Sequence, residues 1–460
     1  MRAILAALLL TVSVSANAAV PPLDDATRTL LRYVYKELVE INTTDSAGDN
    51  TKAAEAMAAR LKAAGFTDVD VLVSAPRKGN LIARFKGTGK QKPLLLLAHL
   101  DVVEARREDW STDPFKLVEQ DGWFYGRGSA DDKAMAAIWI VTLIRMKQAG
   151  FVPNRDIIVA LTSDEETGGP NNGVSWLLAN HRDKIDAGLA INEGGGGAMR
   201  QGKYLFNGIG ASEKVYVTFG LEVKNKGGHS SVPQKINAIY QLAEALVRLS
   251  RYQFPVKLNE VTRNFFLRMS AVEEDPQVAA DMRALGSKDD PAAAARLSEF
   301  PPHNARLRTT CVATMLQGGH AENALPQSAK ATINCRILPG EDAEEVKKTL
   351  VSVLAEPAIE VTWIQRAKPS VPSPLDPAIM TPVEQVTGEF WPGIPVIPQM
   401  GTGASDSLYL RNAGIPSYGV SGLFNEIGES RAHGRDERVG VQQLYDATQF
   451  LYELVRRLSS

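Results

Sequence analysis

The chain has 460 residues, a hydrophobic fraction of 44%, a charged fraction of 23% and a formal net charge of −2. That length exceeds the usual reach of one hydrophobic core, so two domains are expected. The composition is that of a soluble globular protein, and the near-neutral charge lacks the basic footprint of a nucleic-acid binder, so no such partner is expected.

Residues 1–18 read as a signal peptide. Arg2 supplies the positive start, residues 3–14 the apolar stretch, and Ala16-Asn17-Ala18 the small-x-small cleavage pattern. The apolar run is shorter than the roughly 20 residues a membrane helix needs. A buried N-terminal helix is the alternative. The expected product is secreted or periplasmic, with no membrane attachment after cleavage.

Stretches 23–40 and 51–64 carry apolar residues at helical spacing. Strands follow at 71–73, 80–85 and 93–98, the last a continuous apolar run that suits burial on both faces. A long apolar helix spans 131–148, a second buried strand 157–161, a helix 173–180 and a third strand 187–191. Strands alternating with helices predict an α/β fold, a mostly parallel central sheet covered by helices on both faces. From about 213 the pattern changes. Alternation over 215–223, a helix at 237–251, a polar helical stretch at 274–298 and two strands at 308–317 and 329–337 read as an inserted α+β domain with an antiparallel sheet. Parallel-sheet logic resumes with a helix at 342–355, a strand at 359–364, a helix at 376–389, a strand at 416–420 and a last helix at 440–457. The predicted layout is a discontinuous catalytic domain, 19–212 with 339–460, interrupted by a lid over 213–338.

Chemistry-bearing residues fall at strand ends, where ligands bind in open α/β sheets. His99 and Asp101 follow the 93–98 strand, and Asp131-Asp132 opens the long helix. Asp164-Glu165-Glu166 follows the 157–161 strand, Glu193 the 187–191 strand, and His433 precedes the last helix. Any one of these could be a capped helix, a solvated acidic loop or a surface pair. Together, carboxylates and imidazoles without thiolate suit hydrolytic zinc. Five ligands are too many for one catalytic zinc and suit two ions bridged by one carboxylate, which leaves one acid of the Glu pair free as general base.

The strings AHLDVV, YGRGSADDK, TSDEETGG, INEGG, GGHSS, ENALP, INCRI and AHGRDE, in this order, resemble the dizinc metallopeptidase family that includes glutamate carboxypeptidase, carboxypeptidase S, aminoacylase and acetylornithine deacetylase. The resemblance spans nearly all of the chain after residue 18 and is strongest toward carboxypeptidase S and secreted N-acyl-amino-acid hydrolases. It implies two Zn²⁺, replaceable by Co²⁺ or Mn²⁺, held by His99, Asp131, Glu166, Glu193 and His433, with Asp131 bridging. It also implies a cis peptide after Asp131, Asp101 orienting His99, and Glu165 as general base and acid. In the lid, His229 would reach the scissile carbonyl, from the neighbouring subunit in dimeric members. Asn323 and Arg336, thirteen positions apart, would bind substrate, with Arg336 on its carboxylate. Gly401-Thr402-Gly403 resembles the substrate loop, although Ala404-Ser405 departs from the usual form. The implied reaction is hydrolysis of an amide bond next to a free carboxylate, as a carboxypeptidase or N-acyl-amino-acid deacylase performs it. The substrate would be a peptide or N-acyl amino acid, and the protein could pair with a second copy through the lid. A dipeptidase or aminopeptidase on the same scaffold, or a metal-dependent binding protein, are the alternatives. The chain's two cysteines, Cys311 and Cys335, lie at equal distances from residue 323. A regular hairpin would set them face to face, able to pair in an oxidising compartment; two buried thiols are the alternative.

Overall fold

The computed structural model describes residues 22–460; the stretch 1–18, read above as a signal peptide, lies outside the described residues. Among them, no helix is long and apolar enough to cross a membrane.

The larger sheet has ten strands. At its heart Leu94–His99 runs parallel to Ile157–Thr162 on one side and to Leu189–Asn192 on the other, with Ser417–Gly419 parallel beyond. The apolar run explains this central place. Leu94, Leu96 and Ala98 point into the core under one face, while Leu95 and Leu97 point into the other, as the two-residue period of a strand requires. Lys133–Gln148 and Val441–Leu458 cover the first face, with Asp25–Glu40 against Lys133–Gln148. Gly173–Asn180 and Ser407–Asn412 cover the second. Because the central strands are parallel, the residues just after His99, Thr162 and Asn192 emerge at one rim, and the site is built there.

A second, antiparallel sheet has the order Thr310–Gly318, Ser328–Ile337, Val215–Lys224, Ile359–Gln365. Helices Ala238–Arg251 and Ala343–Leu354 close one of its faces around Phe219, Leu242, Ile333 and Leu350. The strand expected at 359–364 in the parallel sheet is therefore an edge of the antiparallel one. Its residues alternate: Ile359, Val361 and Trp363 pack inward, while Glu360, Thr362 and Ile364 are exposed. That period suits a sheet covered on one side only. Helices Glu260–Met269, Pro276–Ser287, Pro291–Ser298 and Pro301–Leu307 also depart from the expected lid. They pack on Phe206 and Ile397 of the large sheet. We therefore propose that the small module comprises 215–251 with 308–365 rather than 213–338. Cys311 and Cys335 are register partners and are joined by a disulfide, although a bulge between Ala313 and Met315 breaks the regular hairpin.

Candidate metal centre and active-site cleft

Three strand ends, the turn before the helix Lys133–Gln148 and the loop before Arg438–Gly440 each deliver a group to the rim. His99 is buried and directs Nδ1 to the Asp101 main-chain carbonyl, 2.9 Å away. Its Nε2 then faces Asp131 Oδ1 at 3.0 Å and Glu193 Oε1 at 3.9 Å. His433 sets its Nε2 3.1 Å from Asp131 Oδ2 and 3.0 Å from Glu166 Oε2. Two ligand triads result, His99 with Asp131 and Glu193, and Asp131 with Glu166 and His433; within each, the ligand atoms lie within 4.8 Å of one another. Asp131 belongs to both, one carboxylate oxygen to each. The peptide bond between Asp131 and Asp132 is cis.

The charges fit a cationic guest. Burial and the carboxylates of Asp131 and Glu165 push Glu193 well above the usual carboxylate range. Burial likewise raises Glu165, and Asp406, Asp101 and Glu166 add to it. Burial would raise Asp131 too, yet hydrogen bonds from His433 and His99 hold it well below that range. Hydrogen bonds to Asp131 and Glu166 lift His433 to about 10. Glu166 Oε1 is buried without a partner. Crowded acids, two imidazoles with Nε2 turned inward and an orphan oxygen are a donor set for hard or borderline divalent cations.

Asp101 differs from expectation in how it touches His99. The bond runs to its main-chain carbonyl, while its carboxylate Oδ1 is 3.9 Å away. Its Oδ2 instead accepts from the Glu166 main-chain N–H at 2.9 Å, so the one residue steadies both a histidine and the acidic loop.

A buried ion pair behind the site had no assigned role in the sequence. Glu437 accepts from Arg127 Nη1 at 2.6 Å and from the N–H groups of Gly128, Ala130 and Asp131 at 3.1, 2.7 and 3.0 Å. Arg127 Nη2 also donates to the Gly434 carbonyl at 3.0 Å. The pair thus ties the turn that presents Asp131 to the loop that presents His433. Gly128 has φ +79°, and a Cβ there would lie 2.7 Å from Val102 Cγ1, so this turn needs glycine. Asp406, beyond the glycine loop, was also not assigned. It is buried, accepts from Asn172 Nδ2 at 2.6 Å and Thr162 Oγ1 at 3.2 Å, and burial pushes it up to about 6.

A cleft of about 480 Å³ opens over the cluster and runs to the small module. Asp131, Glu165, Glu166, Glu193 and His433 line one end; Tyr216, Arg336 and Gln365 line the other. Arg336 stacks over the Tyr216 ring with its Cζ 4.6 Å from the centroid, and its Nη1 donates to the Thr402 carbonyl at 3.3 Å. Gly403 lines the cleft, whereas Gly401 ends the strand Val396–Gly401 and accepts from the Lys214 N–H at 3.0 Å. His229 and Asn323 are not brought to this cleft. Both lie at the exposed tip of the small module, where Ser230 N–H donates to the Asn323 carbonyl at 3.0 Å and His229 Nδ1 lies 2.8 Å from Ser231 Oγ.

The chain is similar to known proteins over most of its length. N-fatty-acyl-amino acid synthase/hydrolase PM20D1 of Xenopus tropicalis is 29% identical over 376 residues, covering 79% of this chain and 72% of that protein. Carboxypeptidase S of Saccharomyces cerevisiae is 30% identical over 259 residues, 54% of this chain and 45% of that one. The crystal structure of an M20 family metallo-carboxypeptidase from Sulfolobus solfataricus matches the fold with a TM-score of 0.70 at 18% identity, covering 95% of this chain and 99% of that one. Residues 95–457 match the family described as Peptidase family M20/M25/M40, and the chain belongs to that family of metallopeptidases.

Proposed function

We propose that this metallopeptidase is an exported dizinc hydrolase that cleaves an amide bond adjacent to a free C-terminal carboxylate, as a carboxypeptidase or an N-acyl-amino-acid deacylase. One observation carries the reading: a single cleft joins a double ligand cluster at one end to the Arg336 guanidinium at the other.

His99, Asp131, Glu166, Glu193 and His433 would hold the ions, with Co²⁺ or Mn²⁺ as substitutes. Bound zinc would supply Lewis acidity at the scissile carbonyl. Glu165, in the cleft but in neither triad, takes the proton of the attacking water and returns it to the leaving nitrogen as the C–N bond breaks. Asp101 keeps His99 and the Glu166 loop in register. Arg336 grips the terminal carboxylate through paired N–H donors, next to Thr402 and Gly403.

His229 and Asn323, outside the cleft of their own chain, would serve the site of a second copy. Support comes from the open edge strand Thr310–Gly318, where Val312, Met315 and Leu316 are exposed, and from Ile239 and Tyr240 on the neighbouring helix. An uncovered strand edge with apolar side chains favours pairing. Export is supported by the N-terminal signal pattern and by the disulfide, which persists in oxidising compartments.

The test is a panel of N-acyl amino acids and dipeptides with free or amidated C-termini, assayed with the native chain and with Arg336→Ala. The native enzyme should require the free carboxylate, and Arg336→Ala should raise KM by about tenfold or more, the loss of a charge-assisted pair. Equal cleavage of amidated substrates, or an unchanged KM, would discard the carboxylate clamp. An absolute need for a free N-terminus would favour an aminopeptidase.

A further inference from the structure

The acidic loop that carries Glu165 and Glu166 is held from the neighbouring strand. Lys78–Phe85 pairs antiparallel with Ile157–Thr162, with Leu81 opposite Leu161. Continued by three residues, that register sets Lys78 opposite Asp164. Lys78 and Asn80 are two apart and share a face of the strand. Asn80 is fully buried, and its Oδ1 accepts from the Ser163 N–H at 3.0 Å. Lys78 is 8% exposed and sets its Nζ 2.7 Å from Asp164 Oδ1 and 2.6 Å from Asp45 Oδ1. Burial would lower the ammonium, yet its hydrogen bonds to Asp164 and Asp45 raise it above its ordinary value, so the cation persists.

Asp164 is the point at which the chain leaves the strand. Its φ is +67°, a left-handed conformation that a residue with a Cβ adopts only with support from its surroundings. The Asp164 carboxylate supplies that support, accepting from Lys78 and, at 2.8 Å, from Thr167 Oγ1. The chain then turns, closed by the Gly168 N–H on the Glu165 carbonyl at 3.0 Å. An extended strand would send adjacent residues to opposite faces, whereas here Glu165 and Glu166 both line the cleft. Lys78 also links this turn to the His99 side of the cluster. Its second partner, Asp45, lies in the 41–49 connection, where Thr43 Oγ1 donates to the carbonyl of Leu100, the residue after His99, at 2.7 Å.

We propose, on the amide-hydrolase reading above, that Lys78 is a positioning residue: through Asp164 it fixes the turn that aims Glu165 at the substrate and Glu166 at the metal. An uncompensated carboxylate at a site only 3% exposed is costly. Without Lys78, Asp164 turns toward solvent and the two glutamates move with it.

The experiment measures zinc affinity by chelator competition, kcat and KM at saturating zinc, and the urea midpoint. It compares the native chain with Lys78→Met, Asp164→Asn and the double variant. Asparagine tolerates the left-handed backbone and keeps an acceptor for Thr167, so Asp164→Asn isolates the ion pair and decides the matter alone should Lys78→Met fail to fold. Each single variant should bind zinc about 10–100-fold more weakly and lose about 10²-fold in kcat, with KM near the native value. The double variant should be no worse than the worse single one, because both changes remove the same contact. Native zinc affinity and native kcat in folded Asp164→Asn, with only the urea midpoint lowered, would make the pair merely structural and overturn the proposal. Losses that add in the double variant would overturn it too. If the native chain cleaves no dipeptide or N-acyl amino acid, the hydrolase reading fails and the Glu165 half of the proposal falls with it, while the zinc comparison decides the Glu166 half.

Discussion

Removing the Glu437 carboxylate should loosen the metal centre from behind. Glu437 is 1% exposed and Arg127 2%, and Glu437 accepts from Arg127 and from three N–H groups of the 128–131 turn. Glu437→Ala strands a buried guanidinium, which costs about 3–5 kcal/mol. A domain is stable by only about 5–15 kcal/mol, so the alanine variant should fold marginally. Glu437→Gln keeps the shape and one acceptor oxygen but turns an amide N–H₂ toward donors; the unsatisfied groups should cost about 1–3 kcal/mol. Because those N–H groups include that of Asp131, and Arg127 also holds the Gly434 carbonyl beside His433, both triads should lose definition. Loss of such an outer partner typically weakens metal binding about 10–100-fold. Urea denaturation of the metal-free protein and zinc competition against a chromophoric chelator measure the two effects separately. A Gln variant with native stability and native zinc affinity would refute the assignment of Glu437 as the residue that positions Asp131.

Three further outcomes are expected. Glu165→Gln should retain its metal and lose about 10²–10⁴ in kcat; turnover near the native rate would remove Glu165 from the proton-transfer role. Lys214 is buried, and burial followed by repulsion from Arg336 lowers its ammonium to about 7. A base with a depressed folded pKa destabilises fully below about 7, and the cost is relieved as pH rises toward the unfolded value near 10.5. Native stability should therefore rise over that window by several kcal/mol relative to Lys214→Met, and parallel pH profiles would contradict it. The Cys311–Cys335 disulfide closes a loop with a sequence separation of 24, so the Cys311→Ala/Cys335→Ala double variant should lose about 3 kcal/mol in denaturant unfolding; an unchanged midpoint would assign the bond no stabilising role.

The central strands were legible because burial on both faces leaves an unbroken apolar run, and 93–98 and 157–161 have one. Acids and histidines directly at the ends of such runs are costly without a partner, which is why His99, Glu166 and Glu193 stood out; Asp131, at the start of a helix, and His433, in a loop, carry no such signal. The edge of the large sheet was less visible. Strands Gly197–Arg200, Lys203–Glu213 and Phe424–Glu426 lie among glycines and polar residues, where neither helix nor strand period is clear. The strand expected at 359–364 belongs to the antiparallel sheet, and its alternation is that of a sheet covered on one side. Glu437 and Arg127 escaped because their roles need a contact between residues 310 positions apart, which no local pattern reports. The signal that could have found Glu437 is an acid immediately before the strand Arg438–Gly440, 1% exposed in the fold.

Anomalous diffraction at the zinc edge, from crystals of the zinc-loaded protein, tests the dinuclear centre most directly. Two peaks about 3.5–4 Å apart, one on each side of the Asp131 carboxylate, with His99 and Glu193 at the first and Glu166 and His433 at the second, are expected. A single peak, or peaks away from these five side chains, would contradict the account.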